Sequence, residues 1–134
     1  MDVIDWEANV DPDFHKNRFM KPVVCRSDER YCEEWICYRC PVASAKRLTV
    51  NPGESVVITD SAAYGMILIE GEGTMGKWNI STPTLIRYGE LTNDEFFVSE
   101  AAAKAGVKIT NTSATEPLVM LKHFAENPDL PAGM

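Results

Sequence analysis

The sequence contains no run of about 18 consecutive apolar residues, so no segment reads as a membrane-spanning helix. It holds only two histidines, His15 and His123, which leaves little material for a histidine-rich metal site or a histidine base. Basic residues are in deficit: 13 Lys and Arg against 20 Asp and Glu give a formal charge of −7. An acidic domain repels phosphate backbones, so nucleic-acid binding is not expected. An anionic ligand needs a local group of Arg or Lys working against the overall field. The glycine-bearing stretch GEGTMG at 71–76 lacks the Lys-Ser/Thr and the subsequent helix of a phosphate loop. Ser61 has no G-x-S-x-G surroundings, which argues against a hydrolase triad. The opening MDVIDWEANVDPDF has neither the basic start nor the apolar core of a signal peptide. A cytoplasmic compartment with reduced thiols is therefore the expectation.

The residues present point to one globular domain of 134 residues with 45% apolar content. The organising stretch is Asn51 to Gly76, NPGESVVITDSAAYGMILIEGEGTMG. Residues Glu54 to Thr59 are rich in β-branched side chains and read as a strand. Residues Tyr64 to Ile69 are apolar almost throughout, as a strand buried on both faces is. Pro52-Gly53 opens this pair, and Gly71 and Gly73 close it.

Upstream, residues 1–21 show no clean periodicity and read as an irregular arm resembling a linker, with Trp6, Phe14 and Phe19 as scattered apolar anchors. Short strands are expected at Pro22 to Cys25, Glu34 to Cys40 and Ala45 to Val50. In the second of these, Trp35, Cys37 and Arg39 fall on one face, Ile36 and Tyr38 on the other. Downstream, strands are expected at Trp78 to Ile80, along PTLIRY at 83–88, at Glu95 to Val98, Val107 to Thr110 and Pro117 to Phe124. One helix is expected after Ser99, a suitable N-cap, with three alanines behind it and Gly106 at its end. Many short strands separated by Gly/Pro turns indicate an all-β sandwich or barrel over residues 22–124, with a proline-bearing tail at 125–134.

The four cysteines, Cys25, Cys32, Cys37 and Cys40, admit two readings. One is a structural zinc site; the other is four independent thiols. Only one short-spaced pair is present, and the alternation of WICYRC sends Cys37 and Cys40 to opposite faces, so independent thiols are the favoured reading.

A strand, a loop, an apolar strand and then Glu70-Gly-Glu-Gly73 resembles the first motif of the cupin superfamily, jelly-roll barrels also described as double-stranded β-helices. Asp94-Glu-Phe-Phe-Val98 is similar to the strand opening the second cupin motif, Asn111 to its terminal Asn, and Pro117 to Leu121 to the final strand. The framework matches from about Arg47 to Phe124. In cupins, three His and one Glu hold a divalent metal. Carried onto this sequence, the Glu position falls at Tyr64, the His-x-His pair near Ile58 and Asp60, and the third His at Val107. The resemblance thus implies a cupin-like barrel without the usual metal, and no cofactor is expected. A looser similarity to the cupin half of sugar-phosphate isomerase-like proteins implies a carbohydrate-related role.

If Tyr64 points inward, strand parity sends Met66 and Leu68 inward with it, and Val107, Ile109 and Asn111 inward from the other sheet. The ligand-binding candidates are then Asp60, Tyr64, Met66, Asn111 and, near the end of the last strand, His123. Arg39, Arg87 and Lys108 are the cations considered for an anionic ligand. Two functions remain open. One is a metal-free module that binds a small molecule, such as a sugar or sugar phosphate, or serves a structural role. The other is an isomerase or epimerase using Tyr64, Asp60 or His123 as acid or base. The barrel interior is either an open pocket or filled by its own side chains. Barrel edges that need covering lead to the expectation of a homodimer.

Overall fold

A computed structural model describes residues 6–14, 16, 20–125 and 129. Ten strands succeed one another: β1 (Val23–Ser27), β2 (Tyr31–Cys40), β3 (Ala43–Val50), β4 (Ser55–Ile58), β5 (Tyr64–Glu70), β6 (Glu72–Met75), β7 (Trp78–Ser81), β8 (Glu95–Val98), β9 (Val107–Asn111) and β10 (Leu118–Phe124). Helices described alongside them include α1 (Trp6–Val10) in the arm and α2 (Glu100–Ala105) between β8 and β9. The strands pair antiparallel into a six-stranded sheet, β1-β2-β3-β10-β5-β8, and a four-stranded sheet, β4-β9-β6-β7. Their inner faces enclose one core built on Trp35, Leu48, Met66, Ile109, Leu118 and Met120.

Local chemistry explains most of the boundaries. Ser99 accepts a hydrogen bond from the Ala102 amide and starts α2, and Gly106 ends it at φ 100°. Gly71 turns β5 into β6 at φ +91°, where an added Cβ would lie 2.4 Å from the Pro117 carbonyl oxygen. Beyond Gly71 the chain runs on as a strand, β6, and not only as the glycine turn expected over 71–76.

Three further expectations are corrected. β5 is buried on one face only: Tyr64, Met66 and Leu68 are enclosed, while Ile67 and Ile69 face outward because the other side of an antiparallel sheet is left to solvent. β2 does not keep simple alternation. Its register with β3 shifts between Trp35 and Cys37, and this bulge turns both Trp35 and Tyr38 inward. The stretch 83–88 forms no strand; it belongs to a long connection from β7 to β8 on which Leu85, Ile86, Tyr88 and Leu91 are exposed, so its alternation has no partner strand to pack it.

The arm carries the short helix α1, with Trp6 and Val10 exposed, and its Lys21 carbonyl accepts a 2.7 Å bond from the Tyr38 hydroxyl. Phe14 is half-buried, whereas His15 and Phe19 lie outside the described residues. The tail expected at 125–134 is described only at Ala125 and Asp129. Among the described residues no helix is long and apolar enough to cross a membrane.

Candidate functional site

Four charged side chains lie inside the barrel, each almost wholly buried: Glu33 on β2, Lys46 on β3, Lys122 on β10 and Asp60 on the loop after β4. Strand pairing explains their meeting. Lys46 and Lys122 are directly opposite across the β3–β10 ladder, an arrangement that repels by itself. Glu33 enters from the neighbouring strand, and Asp60 faces them from the other side, its amide bonded to the Ala103 carbonyl at the end of α2. The result is a closed ring. Lys46 Nζ lies 2.7 Å from Asp60 Oδ1 and 3.4 Å from Glu33 Oε1; Lys122 Nζ lies 2.8 Å from Glu33 Oε2 and also bonds Asp60 Oδ2. Each ammonium also sits over an aromatic face, Lys46 4.6 Å from the Trp35 ring centre and Lys122 4.6 Å from that of Tyr64.

The four charges cancel, two against two. Arg26 on β1 then adds one positive charge from the solvent side. Its Nη2 lies 2.6 Å from Glu33 Oε1 and 3.5 Å from Asp60 Oδ1, and its side chain keeps 33% exposure. Burial pushes the Glu33 carboxyl up, but Lys122, Lys46 and Arg26 outweigh it and hold the group at about 2. Burial likewise pushes the Lys46 ammonium down, and Glu33 and Asp60 outweigh it, so its pKa ends above the ordinary value. For Tyr64, burial and then the two carboxylates push the phenol upward. Its hydroxyl is buried with no hydrogen-bond partner among the described residues.

A cavity of about 460 Å³ opens directly onto this ring, bordered by Arg26, Lys46, Asp60, Ser61, Lys104 and Asp129. Between the two sheets lies the packed core, which includes Trp35, Leu48, Ile109 and Met120. Of the residues singled out from sequence, Asp60 borders the cavity, while Tyr64 and Met66 lie in the core behind it. Asn111 is buried elsewhere and spends its amide on structure: Nδ2 donates to the Val50 and Glu116 carbonyls at 3.0 and 2.8 Å, and Oδ1 accepts from the Ser113 amide. His123 faces outward across Gly65, where an added Cβ would lie 2.2 Å from Nε2, and borders a separate surface hollow of about 330 Å³. Arg39, Arg87 and Lys108 are exposed and do not border the cavity; the cations that do are Arg26, Lys46 and Lys104. Cys25 borders it too, but all four thiols are free and no zinc ligand set is assembled among the described residues.

No family model and no curated protein matches this sequence. Solved structures do match by fold. The chain superposes on a structure of Rhodobacter sphaeroides SigE in complex with the anti-sigma ChrR with TM-score 0.56 and 9% identity, covering 83% of this chain and 52% of that one. An RmlC-like cupin protein from Ralstonia eutropha gives 0.52 and 6% identity, covering 78% and 62%. An uncharacterized conserved protein with a double-stranded β-helix domain from Klebsiella pneumoniae gives 0.51 and 12%, covering 78% and 84%. The chain thus spans about half to two thirds of the first two structures. At these identities the likeness is one of fold, and the fold is the cupin jelly roll.

The resemblance to the cupin motifs raises the question of a divalent metal in the barrel, and the residues present do not fit one. Ile58 and Val107 carry no donor atom, and Lys46 and Lys122 already hold both inner carboxylates. Among the described residues no group of three or more His, Cys, Asp or Glu side chains is placed to hold an ion.

Proposed function

We propose that this domain is a metal-free cupin-like module that binds a small anionic molecule at the open end of its barrel, with sugar phosphates and related sugars as the class suggested by the sequence resemblance. The observation that carries this reading is the gathering of three cations, Arg26, Lys46 and Lys104, on the border of a cavity of about 460 Å³ in front of a neutral buried ring. In an acidic protein, such a point is where an anion gains most from leaving water. An acid/base enzyme is less well served. The Tyr64 hydroxyl is sealed in the core, His123 faces away, and Asp60 is held by Lys46 and Lys122.

The test is a titration of isotope-labelled protein with glucose 6-phosphate, glucose and inorganic phosphate, monitored by amide NMR. Binding should shift the amides of Thr59 and Ser61 and saturate, and Arg26→Gln should weaken it about tenfold, the loss of one charge-assisted contact. Shifts confined to the hollow beside His123, or an unchanged affinity in Arg26→Gln, would overturn the reading.

A further inference from the structure

The rim of the cavity already holds a carboxylate. Asp129 places one oxygen, Oδ2, 3.1 Å from the Ser61 amide nitrogen and the other, Oδ1, 2.7 Å from the Ser61 hydroxyl. One residue thus offers two adjacent donors, N–H and O–H, which suits a planar anion with two oxygens on one carbon. Ser61 owes its position to its neighbour. Asp60 is locked into the ring by Lys46 and Lys122, and its amide is tied to the Ala103 carbonyl, so the Ser61 donors are presented from a fixed turn. The surrounding charge favours the same anion. Burial pushes the Asp129 carboxyl up, yet the two bonds from Ser61, with Lys46 and Arg26 adding, bring it below its ordinary value.

We propose that Ser61, in the field of Arg26 and Lys46, forms a carboxylate-binding subsite, and that Asp129 occupies it as a tethered competitor of a small organic acid. This rests on the reading of the cavity as an anion site and narrows the anion to a carboxylate. A ligand acid takes the two Ser61 donors only when Asp129 leaves them. The tether gives Asp129 a high local concentration, so the wild-type chain binds small acids more weakly than the cavity alone allows.

The experiment compares the wild-type chain with Asp129→Ala, titrated at constant ionic strength with sodium acetate and, separately, with inorganic phosphate. Amide NMR at Ser61 is the readout. Because Asp129 is exposed, the substitution leaves the core intact. Acetate should shift the Ser61 amide saturably in Asp129→Ala, with about tenfold tighter binding than in wild type. Adding Ser61→Ala to that variant should remove most of the gain. Equal acetate affinity in wild type and Asp129→Ala would overturn the competitor role. Saturable phosphate binding without acetate binding would overturn the carboxylate assignment while leaving the anion site standing. The absence of any anion-dependent shift would overturn both.

Discussion

The sharpest perturbation is Lys122→Met. The side chain has no solvent exposure, and its ammonium holds one oxygen of each inner carboxylate. Removing it leaves Glu33 and Asp60 with Lys46 and Arg26, and strips the cation from the Tyr64 face. Breaking a buried ion pair by deleting one partner costs about 3–5 kcal/mol, since the partner stays buried with its charge exposed to nothing better. For a domain of this size that corresponds to a fall in Tm of roughly 10–20 °C. Glu33→Gln should cost a comparable amount, because three cations then face one carboxylate. The double variant keeps the charge balance and should lose about 2 kcal/mol less than the two single losses added. Urea unfolding of all four proteins gives the cycle. The pH dependence is a second arm. Glu33 is held at about 2 against an ordinary 4.5. A depressed carboxyl contributes stability that is complete above about pH 4.5 and fades as pH falls toward 2, roughly 3 kcal/mol in all. Lys46, raised, contributes below its ordinary pKa and is lost only at strongly alkaline pH. Losses under about 1 kcal/mol, additive singles, or an acid limb unchanged in Glu33→Gln would refute the ring as a buried structural element.

Two other substitutions separate structure from ligand chemistry. Tyr64→Phe removes a buried hydroxyl that has no partner and keeps the ring under Lys122, so it should be neutral or stabilising by about 1–2 kcal/mol, and a Tm drop of several degrees would show that the hydroxyl is held. Asn111→Ala leaves the Val50 and Glu116 carbonyls short of a donor and should destabilise by about 2–3 kcal/mol in urea unfolding while ligand affinity, measured by calorimetry, stays constant.

The frame was legible because it depends on local signals. Glycine turns, β-branched runs and the Ser99 cap are each read within a few residues, and the strand parity that sends Tyr64, Met66 and Leu68 inward is a property of one strand. The site was not legible in the same way, because its members come from four places far apart in sequence. A cue existed. Lys46 lies two residues before Leu48 and four before Val50, and all three share the buried face of β3; Lys122 lies two after Met120 on β10. A lysine in phase with a core stripe is a buried charge in search of partners. Glu33 was hidden by its neighbour Glu34, which makes the pair resemble a solvated turn, although parity with Trp35 places it inside. The cupin resemblance singled out Asp60 as a ligand position, and the structure places it on the cavity, whereas its counter-ions carry no motif at all.

The ring also occupies the part of this barrel where the cupin resemblance would place an ion. A divalent metal would cancel the charge of inner carboxylates and tie the two sheets together. Here two ammoniums do both: Lys46 and Lys122 neutralise Glu33 and Asp60, and through Asp60 they bind the six-stranded sheet to the loop leaving the other sheet. The exchange has a chemical consequence. A metal ion can hold an open coordination position and polarise what enters it. Ammoniums whose protons are already given to two carboxylates, and which are capped by Trp35 and Tyr64, have little left to offer a substrate. The positive character that reaches the cavity comes from Arg26, which approaches the ring from the solvent side, stays one-third exposed and always carries its proton, together with Lys46 and Lys104 on the same border. A guanidinium in that position is suited to orient and hold an anion and not to activate one, and that is the reason for proposing binding over catalysis.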